Sequence, residues 1–209
     1  MSVRCALGFV LFALGCAESA PPPPAAPVTP EPAPSSPTSP SVAASASAQP
    51  APGSTELVPP STPEALRVPE GPHLAWTAFA KGAQIYACGA KKGAPGQFEW
   101  TLKAPEATLF DAEGKVIGKH FAGPTWESTD GSQVVGALKA KVDSPNPSAI
   151  PWLLVEAKSN AGDGKLQHVV FVQRVDTEGG QAPASGCDKA HDHADVRVEY
   201  RATYYFYSS

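Results

Sequence analysis

The sequence predicts an all-β fold, with a single antiparallel β-sandwich or small β-barrel domain preceded by a disordered proline-rich linker. Three observations support this prediction. After residue 67, apolar and polar residues alternate with a period of two in several runs, no long stretch has the apolar stripe of a helix, and glycine-containing turn signals separate the runs. Short connections favour antiparallel neighbours, because parallel pairing requires a long crossover. We therefore expect about eight to ten strands that close on themselves.

Residues 1–16 have the pattern of an export signal. A single positive charge at Arg4 precedes an apolar run from Ala6 to Leu14, which is too short to span a bilayer. The following Ala13-Leu14-Gly15-Cys16 resembles a bacterial lipobox, in which the cysteine becomes the lipidated first residue. In that case the protein is a membrane-anchored lipoprotein of the cell envelope. The alternative is a plain secreted protein, cleaved after Ala20.

Residues 17–67 differ in composition from the rest of the chain. They hold fifteen of the 24 prolines, separated mainly by Ala, Ser and Thr, and they contain few large apolar side chains. Such a segment cannot bury enough surface to offset the entropy cost of ordering, so we expect it to be disordered and partly polyproline II. At about 3.1 Å per residue it would reach on the order of 150 Å, a length that suits a tether between a membrane anchor and a folded domain.

Residues 68–209 have the composition of one globular domain, long enough for a single core. Their 14 Lys and Arg residues nearly balance 16 Asp and Glu residues, so the domain has no basic footprint for nucleic acid. Cys88 and Cys187 are the two cysteines of this domain. In an exported protein they are expected to form one disulfide, worth about 4–5 kcal/mol in the loop-entropy model. The alternative is two buried, unpaired thiols.

The clearest strand is Asp195–Tyr207, in which every second residue is apolar and would share one buried face. Residues 98–103 alternate in the same way, and the run Leu166–Val175 is apolar on both faces, as expected of a strand covered on both sides. Trp152–Val155 fits either a strand or one helical turn. The turn signals between the runs are Glu113-Gly114, Asp130-Gly131, Asp163-Gly164 and Glu178-Gly179-Gly180.

The stretch Gly118–Gly136 is the candidate ligand site. It combines His120, Trp126, Glu127 and Asp130 with bends at glycine-containing turns. If the bends bring an aromatic face and two carboxylates together, the mixture is typical of a small-molecule pocket. The alternative is structural: Trp126 belongs to the core, Asp130 only forms a turn, and His120 is a satisfied strand residue.

Arg174 is also a candidate ligand-binding residue, because it interrupts an otherwise apolar run. If the side chain is inside the domain, it requires a carboxylate partner such as Asp130, since a buried unpaired charge is costly. If it is not inside, it lies at an edge and faces water.

A second polar cluster follows Cys187 and contains Asp188, His191 and His193. Two histidines one residue apart can bind Zn²⁺ when a carboxylate and a ligand from elsewhere, such as His120, complete the site. In a polar loop, such residues are otherwise solvated side chains. No cofactor is predicted from the sequence.

Several segments of the domain resemble those of one protein family. They are V-P-E-G at 68–71, Q-I-Y-A-C at 84–88, G-K-H-F-A-G-P-T-W-E-S-T-D-G-S at 118–132, A-I-P-W-L-L at 149–154, Q-R-V-D-T-E-G-G at 173–180, G-C-D at 186–188 and Y-Y-F-Y at 204–207. In order and spacing they look like the secreted bacterial and fungal family called domain of unknown function 3455. Some fungal members carry a malate dehydrogenase label, but this chain lacks the G-x-G-x-x-G turn and the βαβ pattern of a dinucleotide site. The family often has Gly where this chain has His193.

The sequence contains no nucleophile elbow, zinc-protease motif or phosphate loop. The first functional hypothesis is therefore a non-catalytic binding module of the cell envelope or cell surface, with a small molecule or glycan as its ligand. The alternative is a small hydrolase or metal-dependent enzyme that uses His120, Asp130 and the cluster around His191. A structural envelope protein without a small ligand is a third hypothesis, and it predicts no well-formed pocket.

Overall fold

The computed structural model describes residues 57–209, which form eight strands and two short 3₁₀ turns. The strands are β1 (His73–Ala90), β2 (Phe98–Phe110), β3 (Val116–Phe121), β4 (Thr125–Ser128), β5 (Gln133–Val142), β6 (Trp152–Ala161), β7 (Val169–Gly179) and β8 (Asp195–Ser208), and the 3₁₀ turns are Glu64–Leu66 and Lys189–His191. No helical segment in this range is long and apolar enough to cross a membrane. The export signal, Cys16 and linker residues 17–56 lie outside the described residues.

Each strand pairs antiparallel with the next one in the chain, and β8 pairs with β1, so that the sheet closes into a barrel. The prediction of an all-β antiparallel domain is confirmed, and of the two expected architectures the chain adopts the barrel. The segment that begins at Trp152 is a strand. The predicted turns at Glu113-Gly114, Asp130-Gly131 and Asp163-Gly164 connect neighbouring strands, and Gly179 ends β7.

The barrel interior is filled from alternate positions of the strands, as the period-two pattern predicts. In β8, Tyr200, Ala202, Tyr204 and Phe206 are all buried inside. The other buried positions of this core are mainly aliphatic, and they come from strands β1 to β7 and from the loops that precede β6 and β7. The innermost of them are Ala78, Leu109, Val134, Leu166, Val169 and Val172.

The described chain upstream of β1 packs on the outside of the barrel. Leu66, in the first 3₁₀ turn, is fully buried against Leu154, Phe171 and Tyr207. The Gln173 side chain donates to the Leu66 carbonyl at 2.6 Å, and the Tyr207 hydroxyl donates to Gln173 at 2.6 Å. This cover explains why β7 is apolar on both faces, and it buries the outer face of β8 near its end as well.

Cys88 and Cys187 form the expected disulfide, with their Cα atoms 5.4 Å apart. The bond joins the end of β1 to the connection between β7 and β8, across 99 residues of sequence. It therefore fixes the long connection 180–194 to one end of the barrel. Trp100 in β2 holds the same connection, because its indole N–H donates to the Ser185 carbonyl at 3.0 Å.

The two ends of the barrel are built differently. At one end, the β4–β5 turn and the β6–β7 loop close over the interior, and Leu166 from that loop is fully buried. At the other end, the β3–β4 hairpin is too short to reach the rim. Strand β3 pairs with β2 only over Ala107–Phe110, and β4 pairs with β5 only over Gln133–Val135. The facing edges of β2 (98–106) and β5 (137–142) are therefore separated by a gap above the hairpin.

Candidate functional site

Behind this gap lies a cavity of about 330 Å³ inside the barrel. The volume is at the lower end of the range of about 300–1,000 Å³ that is typical of small-molecule pockets. The open half of the barrel therefore holds a concave site, whereas the other half is filled by side chains.

The cavity is lined by both polar and apolar side chains, which come from all eight strands. The polar ones are Gln84, His120, Trp126, Arg174 and Tyr204, and the main apolar ones are Leu102, Ala104, Pro105, Leu138, Leu153 and Val155. Gln84, His120, Trp126, Arg174 and Tyr204 are almost completely buried. This combination of apolar walls with a few fixed polar groups is characteristic of ligand pockets.

Two leucines mark the mouth of the cavity. Leu102 in β2 and Leu138 in β5 are 51% and 56% exposed, and both line the cavity. Leu138 lies two residues beyond the buried Gly136 and four beyond the buried Val134, so it shares their inward face. Because β3 and β4 do not reach this level of the sheet, each leucine lacks a neighbouring strand on the side of the gap and remains open to solvent.

The floor of the cavity is an aromatic cluster on the β3–β4 hairpin. The His120 ring stacks on the Trp126 ring with centroids 4.4 Å apart, and both rings meet Tyr204 edge-on. The two residues lie directly opposite each other in the β3–β4 register. Gly136 makes room for the indole, since a Cβ at this position would lie 3.3 Å from Trp126 and 2.3 Å from Val155.

His120 is held as a neutral imidazole. Its Nδ1 is 2.8 Å from the Thr125 carbonyl oxygen, which only accepts, so Nδ1 carries the proton and donates it. The pKa of His120 is lowered to about 3, mainly by burial; the Thr125 bond opposes this shift and the charge of Arg174 adds to it. The Nε2 atom is therefore an unprotonated lone pair at neutral pH.

Two buried donors at the cavity have no acceptor. The Gln84 side-chain nitrogen and the Trp126 indole nitrogen make no hydrogen bond within residues 57–209. Buried polar groups normally find partners, because an unmade hydrogen bond costs about 1–3 kcal/mol. Both residues line the cavity, so a bound molecule with acceptor atoms could supply the missing partners.

Arg174 follows neither of the two placements expected for it. Its side chain is buried, with 9% exposed, yet no carboxylate in the described part of the chain forms an ion pair with it. Its Nε and Nη2 atoms donate to the Pro151 carbonyl at 3.3 and 2.8 Å. A carbonyl dipole satisfies donors but does not balance a full positive charge.

The tyrosines near Arg174 are neutral at physiological pH. Burial raises the pKa of Tyr86, Tyr200 and Tyr204, and the charge of Arg174 only partly offsets the effect of burial. The other cation at the cavity is Lys103, which forms an ion pair with Asp195 at the rim. Within residues 57–209, the cavity therefore combines one positive charge that no carboxylate balances with several neutral polar groups.

Glu127 and Asp130, which the sequence analysis grouped with His120 and Trp126, do not line the cavity. Glu127 lies on the outer face of β4, where Lys119 and Gln133 bind its carboxylate at 3.0 and 2.7 Å. Asp130 lies at the closed end of the barrel. The structure thus brings His120, Trp126 and Arg174 together and leaves the two carboxylates elsewhere.

Asp130 organises the turn between β4 and β5. One carboxylate oxygen accepts from the backbone and hydroxyl of Ser132, at 2.9 and 2.6 Å, and the other accepts from the Lys165 backbone N–H at 2.9 Å. These hydrogen bonds, of which the one from Lys165 has the largest effect, lower the pKa of Asp130 to about 2. The Ser132 hydroxyl in turn accepts from the Leu166 N–H at 3.1 Å, which closes the loop over the core.

The weak metal candidates Asp188, His191 and His193 lie in the second 3₁₀ turn and beside it. Asp188 accepts from two backbone N–H groups of this turn and from the His191 ring, at 2.8 Å to Nδ1. The His193 side chain is 91% exposed. Within residues 57–209, no group of three His, Cys, Asp or Glu side chains is arranged to hold a metal ion.

Sequence reasoning missed Gln84, Tyr204, Leu102 and Leu138 as parts of the site. They come from four strands that are distant in sequence, and only the register of the barrel brings them together. One signal was present, because Gln84 occupies an inward position in a strand whose other inward residues are small or apolar. A buried amide in such a row is costly unless something binds it.

A larger hollow of about 610 Å³ lies on the surface around β1 and β8. It is open to solvent, and its charged side chains, Lys81, Asp176, Glu178 and Arg201, are all exposed. None of the residues selected from the sequence lies there. The buried, donor-rich cavity is therefore the better candidate site.

Comparison with curated proteins and with solved structures gave no match. A family model does match, over residues 69–208, which make up about two thirds of the chain and include all eight strands of the barrel. The chain therefore belongs to the family described as Protein of unknown function (DUF3455).

Proposed function

We propose that the barrel is a non-catalytic binding module that takes a small, partly apolar molecule into the cavity between β2 and β5. The observation that carries this proposal is the set of buried donors without acceptors, on Gln84 and Trp126, at a cavity whose mouth is lined by open leucines. An apolar ligand body would cover Leu102 and Leu138, and its acceptor atoms would pair with the donors.

The geometry gives no support to the hydrolase or metal-enzyme alternative. The His120 ring is bonded to a backbone carbonyl and not to a carboxylate, so no general base is paired with an orienting acid there. The oxygens of Asp130 are occupied at the other end of the barrel. A binding role requires neither arrangement.

A neutral fluorescent probe tests the proposal. N-phenylnaphthylamine, excited directly, should bind the full-length protein and gain fluorescence as it enters an apolar site. The variant Leu138→Trp places an indole in the mouth and should weaken probe binding about fivefold to a hundredfold, since overfilling a packed site costs about 1–3 kcal/mol.

The matched control is Val116→Trp. Val116 is 49% exposed on β3 and does not line the cavity, so the same added indole should leave probe binding unchanged. The proposal is contradicted if wild-type protein does not bind the probe, or if both tryptophan variants bind it as well as wild type does.

We further propose that the protein is exported and anchored to a membrane through a lipid on Cys16. The pattern of residues 1–16 motivates this, and the Cys88–Cys187 disulfide fits an oxidising compartment. Replacing Cys16 by Ser should move the protein from the membrane fraction to the soluble exported fraction. Wild-type protein in the soluble fraction would instead support simple secretion.

A further inference from the structure

The guanidinium of Arg174 has one edge engaged by a backbone carbonyl and one edge free of any charged partner within residues 57–209. Both bonds to the Pro151 carbonyl come from the Nε and Nη2 atoms, which form one edge of the planar group. A guanidinium carries five N–H donors, so the N–H groups of Nη1 and the second one of Nη2 remain. The Tyr204 hydroxyl lies within reach of the group, but a neutral phenol does not balance its charge.

Among the described residues 57–209, the wider surroundings of Arg174 do not compensate its positive charge either. The titratable groups that respond to it are His120, Tyr86, Tyr200 and Tyr204, and all four are uncharged at neutral pH. Lys103 at the rim has its own partner in Asp195. Buried charges in proteins are normally paired, so an unpaired one at a cavity requires an explanation beyond stability.

The unmatched groups at the cavity point to the same kind of partner. Arg174, Gln84 and Trp126 all line the cavity, and each side chain carries N–H donors. An ionised carboxylate only accepts hydrogen bonds, and its two oxygens match the two parallel N–H groups of a guanidinium edge. One buried cation balances one negative charge, so a doubly charged phosphate monoester would bring an excess charge into the barrel.

We propose that the ligand of this cavity is an apolar molecule that ends in a single carboxylate. The carboxylate binds the free edge of Arg174, and the apolar body extends to the mouth between Leu102 and Leu138. This inference rests on the proposed binding function and specifies the chemical class of its ligand.

The test compares two compounds that have the same ten-carbon chain, decanoate and decanol. Each is titrated into full-length protein loaded with N-phenylnaphthylamine, and displacement of the probe is measured at neutral pH. We expect decanoate to displace the probe at a concentration about tenfold or more below that of decanol, because a hydrogen-bonded charge pair adds to the shared apolar contact.

Substitutions of Arg174 separate the contribution of its charge to ligand binding from that of its planar shape. Arg174→Met should weaken decanoate binding by about tenfold to a hundredfold and leave decanol binding nearly unchanged. Arg174→Lys keeps the charge but loses the planar fork, and it should give an intermediate affinity for decanoate. The matched control is Arg201→Met on the outer face of β8, which should affect neither compound.

The possible outcomes distinguish the carboxylate assignment from the binding function. Equal binding of decanoate and decanol to wild-type protein overturns the carboxylate assignment and leaves the binding function standing. Displacement by inorganic phosphate at the same concentration as by decanoate also overturns it, since the apolar body would then contribute nothing. No probe binding at all overturns the binding function itself. If Arg174→Met does not fold, the wild-type preference for decanoate over its methyl ester decides the question alone.

Discussion

The closed and open ends of the barrel treat their polar groups in opposite ways. At the closed end, Asp130, Ser132 and the backbone of the β6–β7 loop satisfy one another, and the interior beneath them is apolar. At the open end, Gln84 and Trp126 have donors without acceptors, and Arg174 has no carboxylate partner within residues 57–209. Proteins violate the rules of polar satisfaction mainly where function requires it. The closed end is therefore expected to supply stability, and the open end to supply binding.

The strongest test of this comparison removes the same side-chain atoms at each end. Leu166→Ala at the closed end should cost about 3 kcal/mol of unfolding free energy, because a fully buried leucine leaves a cavity. Leu138→Ala at the open mouth, where the side chain is 56% exposed, should cost less than about 1 kcal/mol. Urea denaturation of ligand-free protein measures both.

If the two variants lose the same unfolding free energy, the proposed difference between the two ends is wrong, because Leu138 would then behave as a residue of the core. Probe binding should show the opposite order of effects for the two variants. Leu138→Ala should weaken binding of N-phenylnaphthylamine, whereas folded Leu166→Ala should bind the probe normally.

The sequence predicted the strands better than it predicted their closure. Alternation from Val196 to Phe206 identifies the inner face of β8, because successive side chains of a strand point to opposite sides. The same pattern is compatible with a sandwich or a barrel, since both bury one face. Closure depends on the pairing of β8 with β1, which no local pattern encodes.

The candidate site was predicted in part for the same reason. His120 and Trp126 were selected from one polar stretch, and they meet because they are cross-strand partners in a tight hairpin. Glu127 follows Trp126 within strand β4, so it must point to the opposite face. Gln84, Tyr204 and the two mouth leucines reach the cavity only through the register of distant strands, and sequence patterns do not specify that register.

His120, at the floor of the cavity in the open end, should make the unfolding free energy depend on pH. Its pKa in the folded protein is about 3, below the value of about 6.5 expected in the unfolded chain. The unfolded chain therefore binds more protons between these values, and stability falls as the pH drops below 6.5. Between pH 7 and pH 5 this residue should remove about 2 kcal/mol of stability. Urea denaturation of wild type and His120→Gln should show that only wild type has this loss.

His168→Gln is the matched control for this effect, because His168 is exposed in the β6–β7 loop. The unfolding free energy of His168→Gln should fall between pH 7 and pH 5 as that of wild type does. If His120→Gln and wild type lose the same stability between pH 7 and pH 5, the buried neutral imidazole at the cavity floor is refuted.

Asp130 should give a smaller effect in a lower pH window at the closed end. Its folded-state pKa of about 2 lies below the ordinary value of 3.8, so its contribution is present above pH 3.8 and is lost as the pH falls towards 2. Because the carboxylate is exposed, solvent screening reduces the effect to about 1 kcal/mol. Asp130→Asn should not show this loss of unfolding free energy between pH 3.8 and pH 2. The control is Asp163→Asn, which should still show the loss, because Asp163 is a neighbouring exposed carboxylate with one long hydrogen bond of 3.3 Å. Probe binding measured at pH 7 should be the same in both variants, since neither residue lines the cavity; weakened binding in Asp130→Asn would show that the two ends are coupled and not separate.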